Sequence, residues 1–321
     1  MSIQDRGDEL TGRIERLSDR VEQATTARLA TRLGELQKAL LGLWVTWFGA
    51  ADERPPNYWR AVQYAEAART LLVTTMDPAL VNRAELAAAL DLAYELGVAD
   101  ATETAPELAL EVPERRTLGP LDITTPVDEQ AGRAAIQLTA EAVLDDGLDA
   151  VQAALRTAHQ AVTRVRATVA HEITAATSDG VRAVAETAGV RVIWVAERDA
   201  CLTCLAYAGA TAIPGQAFPS ELTFADKPMA ARGPILGPPR HPHCRCVLQL
   251  WDPSDTAVAD ALKREARRSV LRGRAGGEST QARLNAAERL LRLGAGMPKS
   301  VEQAARRAIR TGRFPEDRPF K

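Results

Sequence analysis

The sequence predicts a mainly α-helical protein that carries one small α+β module. Three observations lead there. Apolar residues recur at intervals of three and four through most of the chain, the spacing of one helix face. Aromatic residues make up only 4% of the 321 residues, against the aromatic enrichment of sheet proteins. All four cysteines fall between residues 201 and 246, in a Gly- and Pro-rich stretch bounded by two short strand-like runs.

Residues 1–50 read as helix. Leu10, Ile14, Leu17, Val21 and Ala24 form one stripe and, after a one-residue slip, Leu29, Leu33, Leu36, Leu40, Leu43 and Trp47 form a second. Such a heptad-like stripe can seat against a partner helix. The prolines of Asp52-Glu-Arg-Pro-Pro-Asn57 end it, because proline lacks the N–H and clashes with the preceding turn. Trp44, Trp47, Phe48, Tyr58 and Trp59 crowd around this break, five of fourteen aromatics. They make either a core plug where two helices meet or a docking surface for another protein.

Residues 57–101 read as helix in two pieces, with Asp77 capping the second and Pro78 in its first turn. Residues 102–126 hold prolines at 106, 113, 120 and 126 and read as a linker between a helical N-terminal domain (1–101) and a second domain (127–254). From Val127 to about Ala188 the helical spacing returns, interrupted at Gly147 and at Ser178-Asp-Gly180. His159 and His171 within it read as helix-surface or satisfied core histidines. Val190–Val195 alternates and is β-branched, so it reads as a strand, and Val247–Trp251 reads as a returning strand. Asp255–Arg274 and Gln281–Arg310 read as helices of a C-terminal tail, residues 255–321.

The two strands bring both ends of the intervening loop together, so Cys201-Leu-Thr-Cys204 and Cys244-Arg-Cys246 converge, with His241 directly before the second pair. Three chemistries use such residues. A structural zinc site takes four ligands from Cys201, Cys204, His241, Cys244 and Cys246. A redox dithiol would use Cys-x-x-Cys, but at a helix start, whereas this motif enters a Gly/Pro loop. Free thiols or a disulfide are the third possibility.

Asp199-Ala-Cys201-Leu-Thr-Cys204-Leu-Ala-Tyr-Ala-Gly209, then a loop and His241-Pro-His-Cys244-Arg-Cys246, resembles the phage Mu F-like head morphogenesis family. That pattern is a Trp-bearing strand, an Asp, Cys-x-x-Cys, a Gly, a variable loop and His-Pro-x-Cys-Arg-Cys; Trp194, Asp199, Gly209, Pro242 and Arg245 complete the fit. The resemblance spans about residues 160–252. It implies a minor capsid protein, present in few copies at the portal vertex inside the virion head and in the host cytoplasm during assembly. Portal, capsid and scaffold proteins would be its partners, met through the helical N-terminal half, and it would act in head assembly or early DNA handling.

Charge adds a second expectation. From Asp255 onward there are sixteen Lys/Arg against eight Asp/Glu, a surplus of +8, while the preceding residues carry 24 against 34. The net charge of −2 is therefore a cancellation. Arg264, Arg267, Arg268, Arg272 and Arg274 form one cluster; Arg306, Arg307, Arg310 and Arg313 form another. They suit either double-stranded DNA phosphates or an acidic protein surface, including this protein's own acidic body. No phosphate-cradling Gly loop, HExxH, GxSxG or zinc-deaminase pattern occurs, so neither an enzyme nor a small-molecule substrate is expected. The longest apolar run, Ala39–Ala51, falls short of the ~18–20 residues a membrane span needs, and the polar, acidic start predicts no secretory leader.

Overall fold

The computed structural model describes residues 2–49, 54–104, 123–231, 233–294 and 296–315. The protein is mainly helical with a small three-stranded antiparallel sheet. Its elements are α1 (Ile3–Phe48), α2 (Tyr58–Thr75), α3 (Arg83–Thr104), α4 (Thr125–Gln137), α5 (Ala140–Asp146), α6 (Leu148–Ala188), β1 (Arg191–Val195), α7 (Leu202–Tyr207), β2 (Thr211–Ala212), β3 (Val247–Trp251), α8 (Thr256–Leu271), α9 (Thr280–Arg292) and α10 (Lys299–Thr311).

The described residues form two compact units, one of residues 2–17, 90–104 and 171–315, the other of 18–89 and 123–170. These units cut across the expected bounds of 1–101, 127–254 and 255–321. The long helices α1, α3 and α6 each contribute to both units, so packing does not follow the proline-rich stretch. Most of that stretch, residues 105–122, lies outside the described residues.

In the second unit, Leu29, Leu33, Leu36, Leu40, Trp44 and Phe48 of α1 are buried. The stripe thus ends on Trp44 and Phe48 rather than on the expected Leu43 and Trp47, and Ala24 is exposed while Thr25 and Thr26 are buried. Helix α2 starts at Asn57, whose Oδ1 accepts the Arg60 N–H at 3.0 Å. Asp77 caps only a single 3₁₀ turn, Pro78–Leu80, and the start of α3 is held instead by Asn82 Oδ1 accepting from Glu85 N. Between α4 and α5 is a break the sequence spacing hides, at Leu138 and the N-cap Thr139. Gly147, at φ 63°, ends α5 as expected.

In the first unit, Gly180 does not interrupt α6, which runs unbroken for 41 residues. Its lack of a side chain serves packing: a Cβ on Gly180 would lie 2.2 Å from the Tyr94 carbonyl O, and one on Gly97 2.0 Å from the Thr177 carbonyl O. Helices α3 and α6 thus touch backbone to backbone.

The sheet order is β2-β1-β3, with Val192 opposite Leu250 and Val195 opposite Val247. Residues 192–195 and 247–250 are all buried, so both faces of the sheet are covered. Trp194 packs against Tyr207 in a tilted arrangement and against Phe218 edge to face, at ring-centroid distances of 4.7 and 5.4 Å. The C-terminal helices join this same core through Ala266, Val270, Leu271, Ala287, Leu290 and Ala305. The expected basic tail is therefore an integral part of the unit that carries the sheet. Its second expected helix is two, split by the turn holding Gly294 and Pro298.

Candidate metal centre

The pairing of Val195 with Val247 fixes the site. The chain leaves β1 at Val195 and reaches Cys201 six residues later, while Cys246 immediately precedes β3. Both cysteine pairs therefore meet at one end of the sheet.

Cys201 is the N-cap of the short helix α7, with φ −62° and ψ 162°, and its Sγ accepts the Cys204 N–H at 3.4 Å. Cys-x-x-Cys thus opens a helix after all, not a Gly/Pro loop. One helical turn puts both thiols on the same side. Residues 244–246 lead from the His241 turn into β3, with the Cys244 and Cys246 sulfurs beside Cys204 and the Arg245 side chain turned to carboxylates instead. The carbonyls of this segment are bonded by side chains rather than by a sheet neighbour. Thr174 Oγ1 of α6 donates to Cys244 O at 3.3 Å, and Thr11 Oγ1 of α1 donates to Arg245 O at 3.0 Å.

The donor atoms converge. His241 Nε2 lies 3.2 Å from Cys201 Sγ and 3.3 Å from Cys204 Sγ, and Cys204 Sγ lies 3.7 Å from Cys244 Sγ. Two sets of three donors are mutually within 4.8 Å: Cys201, Cys204 and His241, and Cys204, Cys244 and Cys246. Cys204 belongs to both. A tetrahedral ion with metal–sulfur bonds of ~2.3 Å sets its ligand atoms about 3.8 Å apart, so these separations fit a shared ion. The cluster can hold a metal. All four cysteines are free thiols, and the three at 204, 244 and 246 are buried.

Without an ion the four thiols differ: their cysteine neighbours hold Cys244 well below the ordinary thiol value and push Cys204 and Cys246 well above it. Hydrogen bonds from Cys204 and then His241 bring the Cys201 thiol down to about 4, and the Cys201 partner raises His241 to about 9. A cleft of about 400 Å³ reaches the cluster and is also lined by Met229.

Behind the cysteines, Arg245 bonds three carboxylates. Nη2 reaches Asp199 Oδ2 at 2.9 Å, Nε reaches Glu197 Oε2 at 2.9 Å, and Nη1 reaches Glu15 Oε1 at 3.4 Å. Burial pushes Glu197 up to about 8, with Arg245 opposing. Glu15, Glu197, Thr11 and Thr174 carried no sequence signal. Thr11 stands 234 positions before its partner, and nothing in its helical spacing marks it.

The other expected sites fare differently. Trp44 and Phe48 are buried, packed with Tyr64 at centroid distances of 5.1 and 5.4 Å, and so cannot be docking residues. Large apolar rings at a helix junction fill it rather than face outward. Trp47 is half-buried beneath the Arg60 guanidinium, and only Tyr58 and Trp59 are exposed, Trp59 at 74%. Of the first arginine cluster, Arg264 and Arg267 are exposed on α8, Arg268 pairs with Glu265 at 3.5 Å, and Arg272 and Arg274 are half-buried. Arg306, Arg307, Arg310 and Arg313 are all exposed on or just after α10. Among the described residues no helix is long and apolar enough to cross a membrane.

Comparison with known proteins is negative throughout: no family model, curated protein or solved structure matches the chain.

Proposed function

We propose that the protein is a head-assembly factor of the Mu F-like kind, whose sheet-bearing unit is stapled by one Zn²⁺. The observation that carries this reading is the use the fold makes of the motif. Cys201, Cys204, His241, Cys244 and Cys246 converge, and the two polar positions between and beside them, Asp199 and Arg245, pair with each other. The remaining motif positions have their own duties. Trp194 is the centre of the aromatic core, and Gly209, at φ 74°, would bring a Cβ to 2.4 Å from the Ala259 carbonyl O.

Zinc suits the donors. Thiolates and imidazole favour Zn²⁺ over Mg²⁺ or Ca²⁺, which take oxygen, and a redox-inert ion suits a site without an evident reaction. Four of the five Cys/His side chains would hold it. The ion would supply folding free energy to a loop of 39 residues between Cys204 and Cys244 that forms little regular structure. The protein's contribution is to present the donors, through the α7 N-terminus on one side and the threonine-bonded segment before β3 on the other.

The partner expected for such a factor is the portal protein of the same genome, with capsid and scaffold proteins around it. Co-expression of the full chain with that portal protein tests this. The expected outcome is co-sedimentation of the two, together with incorporation of the chain into assembled heads. Heads formed without the chain, and no association with the portal, would overturn the assignment. Metal analysis tests the zinc separately, with about one Zn²⁺ per chain expected.

A further inference from the structure

Helices α9 and α10 enclose a groove of about 930 Å³ on the sheet-bearing unit. Leu291 and Ile309, both half-buried, form its apolar floor. Arg292, Arg306, Arg307 and Arg310 line its rims. Glu288 neutralises Arg292 at 2.7 Å, but no acidic side chain among the described residues pairs with Arg306, Arg307 or Arg310. Leu293, at the C-terminus of α9, is 83% exposed. The arrangement follows from the sequence of α10. Val301, Ala305 and Ala308 bury one face, and the arginines are left on the other.

The two chemistries open to a basic tail make different demands on this shape. A DNA duplex is a convex rod wider than the ~8–10 Å spacing of two packed helices. It would touch the arginines and leave the apolar floor empty. A helix entering the groove would use both. Its aliphatic side chains at i, i+3, i+4 and i+7 would meet Leu291 and Ile309, and flanking carboxylates would meet the arginines. We propose that the α9–α10 groove is the docking site for an acidic amphipathic helix of a partner protein. This rests on the assembly reading, since it names the kind of partner such a factor engages.

Fluorescence anisotropy on the full chain tests it. The probe is a labelled synthetic peptide of about 18 residues, long enough to be helical, with Leu at every third and fourth position and Glu between. A second peptide replaces each Leu by Ser at unchanged charge. The Leu peptide is expected to bind, and the Ser peptide about tenfold or more weaker, the loss of buried aliphatic anchors. Ile309→Ser should weaken the Leu peptide to a similar degree. Arg307→Gln with Arg310→Gln, at exposed positions with no folding role, should weaken both peptides. Equal binding of the two peptides would overturn the proposal by showing charge alone at work. So would displacement of the peptide by a 20-base-pair duplex whose own binding ignores Ile309→Ser, the mark of a DNA surface. Portal co-sedimentation is read independently, so a failure of the groove leaves the assembly assignment standing and the two failures are told apart.

Discussion

Arg245 Nη2 and Asp199 Oδ2 lie 2.9 Å apart, and this pair joins the two halves of the cysteine cluster. Asp199 stands two residues before Cys201, and Arg245 stands between Cys244 and Cys246. Holding the arginine against its carboxylates fixes the short segment from which the Cys244 and Cys246 thiols reach Cys204. Arg245→Met should therefore lower zinc affinity about 10- to 100-fold, the usual loss when a group that orients ligands is removed. Competition against a chromophoric chelator measures it. An unchanged affinity would mean that the donors are positioned by α7 and β3 alone.

Metal removal should destabilise the sheet-bearing unit. An ion that binds only the folded state adds about 4.1 kcal/mol when present at 1,000 times its dissociation constant. Chelation should thus lower the melting temperature, and Cys204→Ser, which removes the donor common to both sets of three, should reproduce the apo value. Scanning calorimetry with and without chelator checks this. Identical transitions would rule out a structural ion.

Gly97 and Gly180 should resist substitution. A methyl group at either would drive α3 and α6 apart, since each Cβ falls within about 2 Å of a backbone oxygen that has no side-chain freedom. Overpacking of this kind costs about 1–3 kcal/mol or more. Both changes open the same crossing, so Gly97→Ala with Gly180→Ala should cost less than the sum of the two. Urea unfolding followed by far-UV circular dichroism gives the numbers. Full additivity would show that the two contacts relax separately.

These glycines mark where sequence reasoning stops. A glycine within an apolar helical stretch has the same local signature whether it ends the helix or admits a neighbour, and only the partner helix decides. Local signals served well where the cause was local. The strand at 191–195 follows from its β-branched residues, that at 247–251 was read as its returning partner, and the cysteine convergence follows from the two. The redox-like helix start at Cys201 was hidden because six residues are too few for periodicity to register. Glu15, Thr11 and Thr174 were invisible because their partners lie far away in sequence. The integration of α8 to α10 into the core was masked by their charge, since arginine on one face says nothing about alanine and leucine on the other.

Asp100 gives a pH prediction. Its carboxylate accepts from Gln249 Nε2 at 2.7 Å, and burial raises its pKa above the ordinary 3.8 despite that bond. The folded state thus binds its proton more tightly than the unfolded state does. Stability from this group is greatest below 3.8 and is lost as pH rises through the raised folded value. At neutral pH the buried charge is a net cost. Asp100→Asn should therefore raise stability at pH 7 and flatten the loss between pH 4 and 7. The Asn oxygen can still accept from Gln249, and its amide can offer a donor to the otherwise unbonded Gln249 Oε1. Chemical denaturation across that pH range tests it. A less stable variant at pH 7 would show that the ionised Asp100–Gln249 bond outweighs desolvation.

Trp44 and Trp59 separate packing from docking within one short stretch of sequence. Trp44 is fully buried against Phe48 and Tyr64, whereas Trp59 is 74% exposed one residue into α2. Trp44→Ala should destabilise the unit by about 3–5 kcal/mol, the cost of an aromatic-sized cavity. Trp59→Ala should leave stability within about 0.5 kcal/mol, as surface changes do. If Tyr58 and Trp59 are what remains of the expected docking surface, Trp59→Ala should instead weaken portal co-sedimentation. An exposed tryptophan at the centre of an interface typically carries more than about 2 kcal/mol of binding energy. Denaturation and co-sedimentation on the same two variants give opposite rankings under this assignment. Unimpaired co-sedimentation by a folded Trp59→Ala protein would place the portal contact elsewhere on the chain.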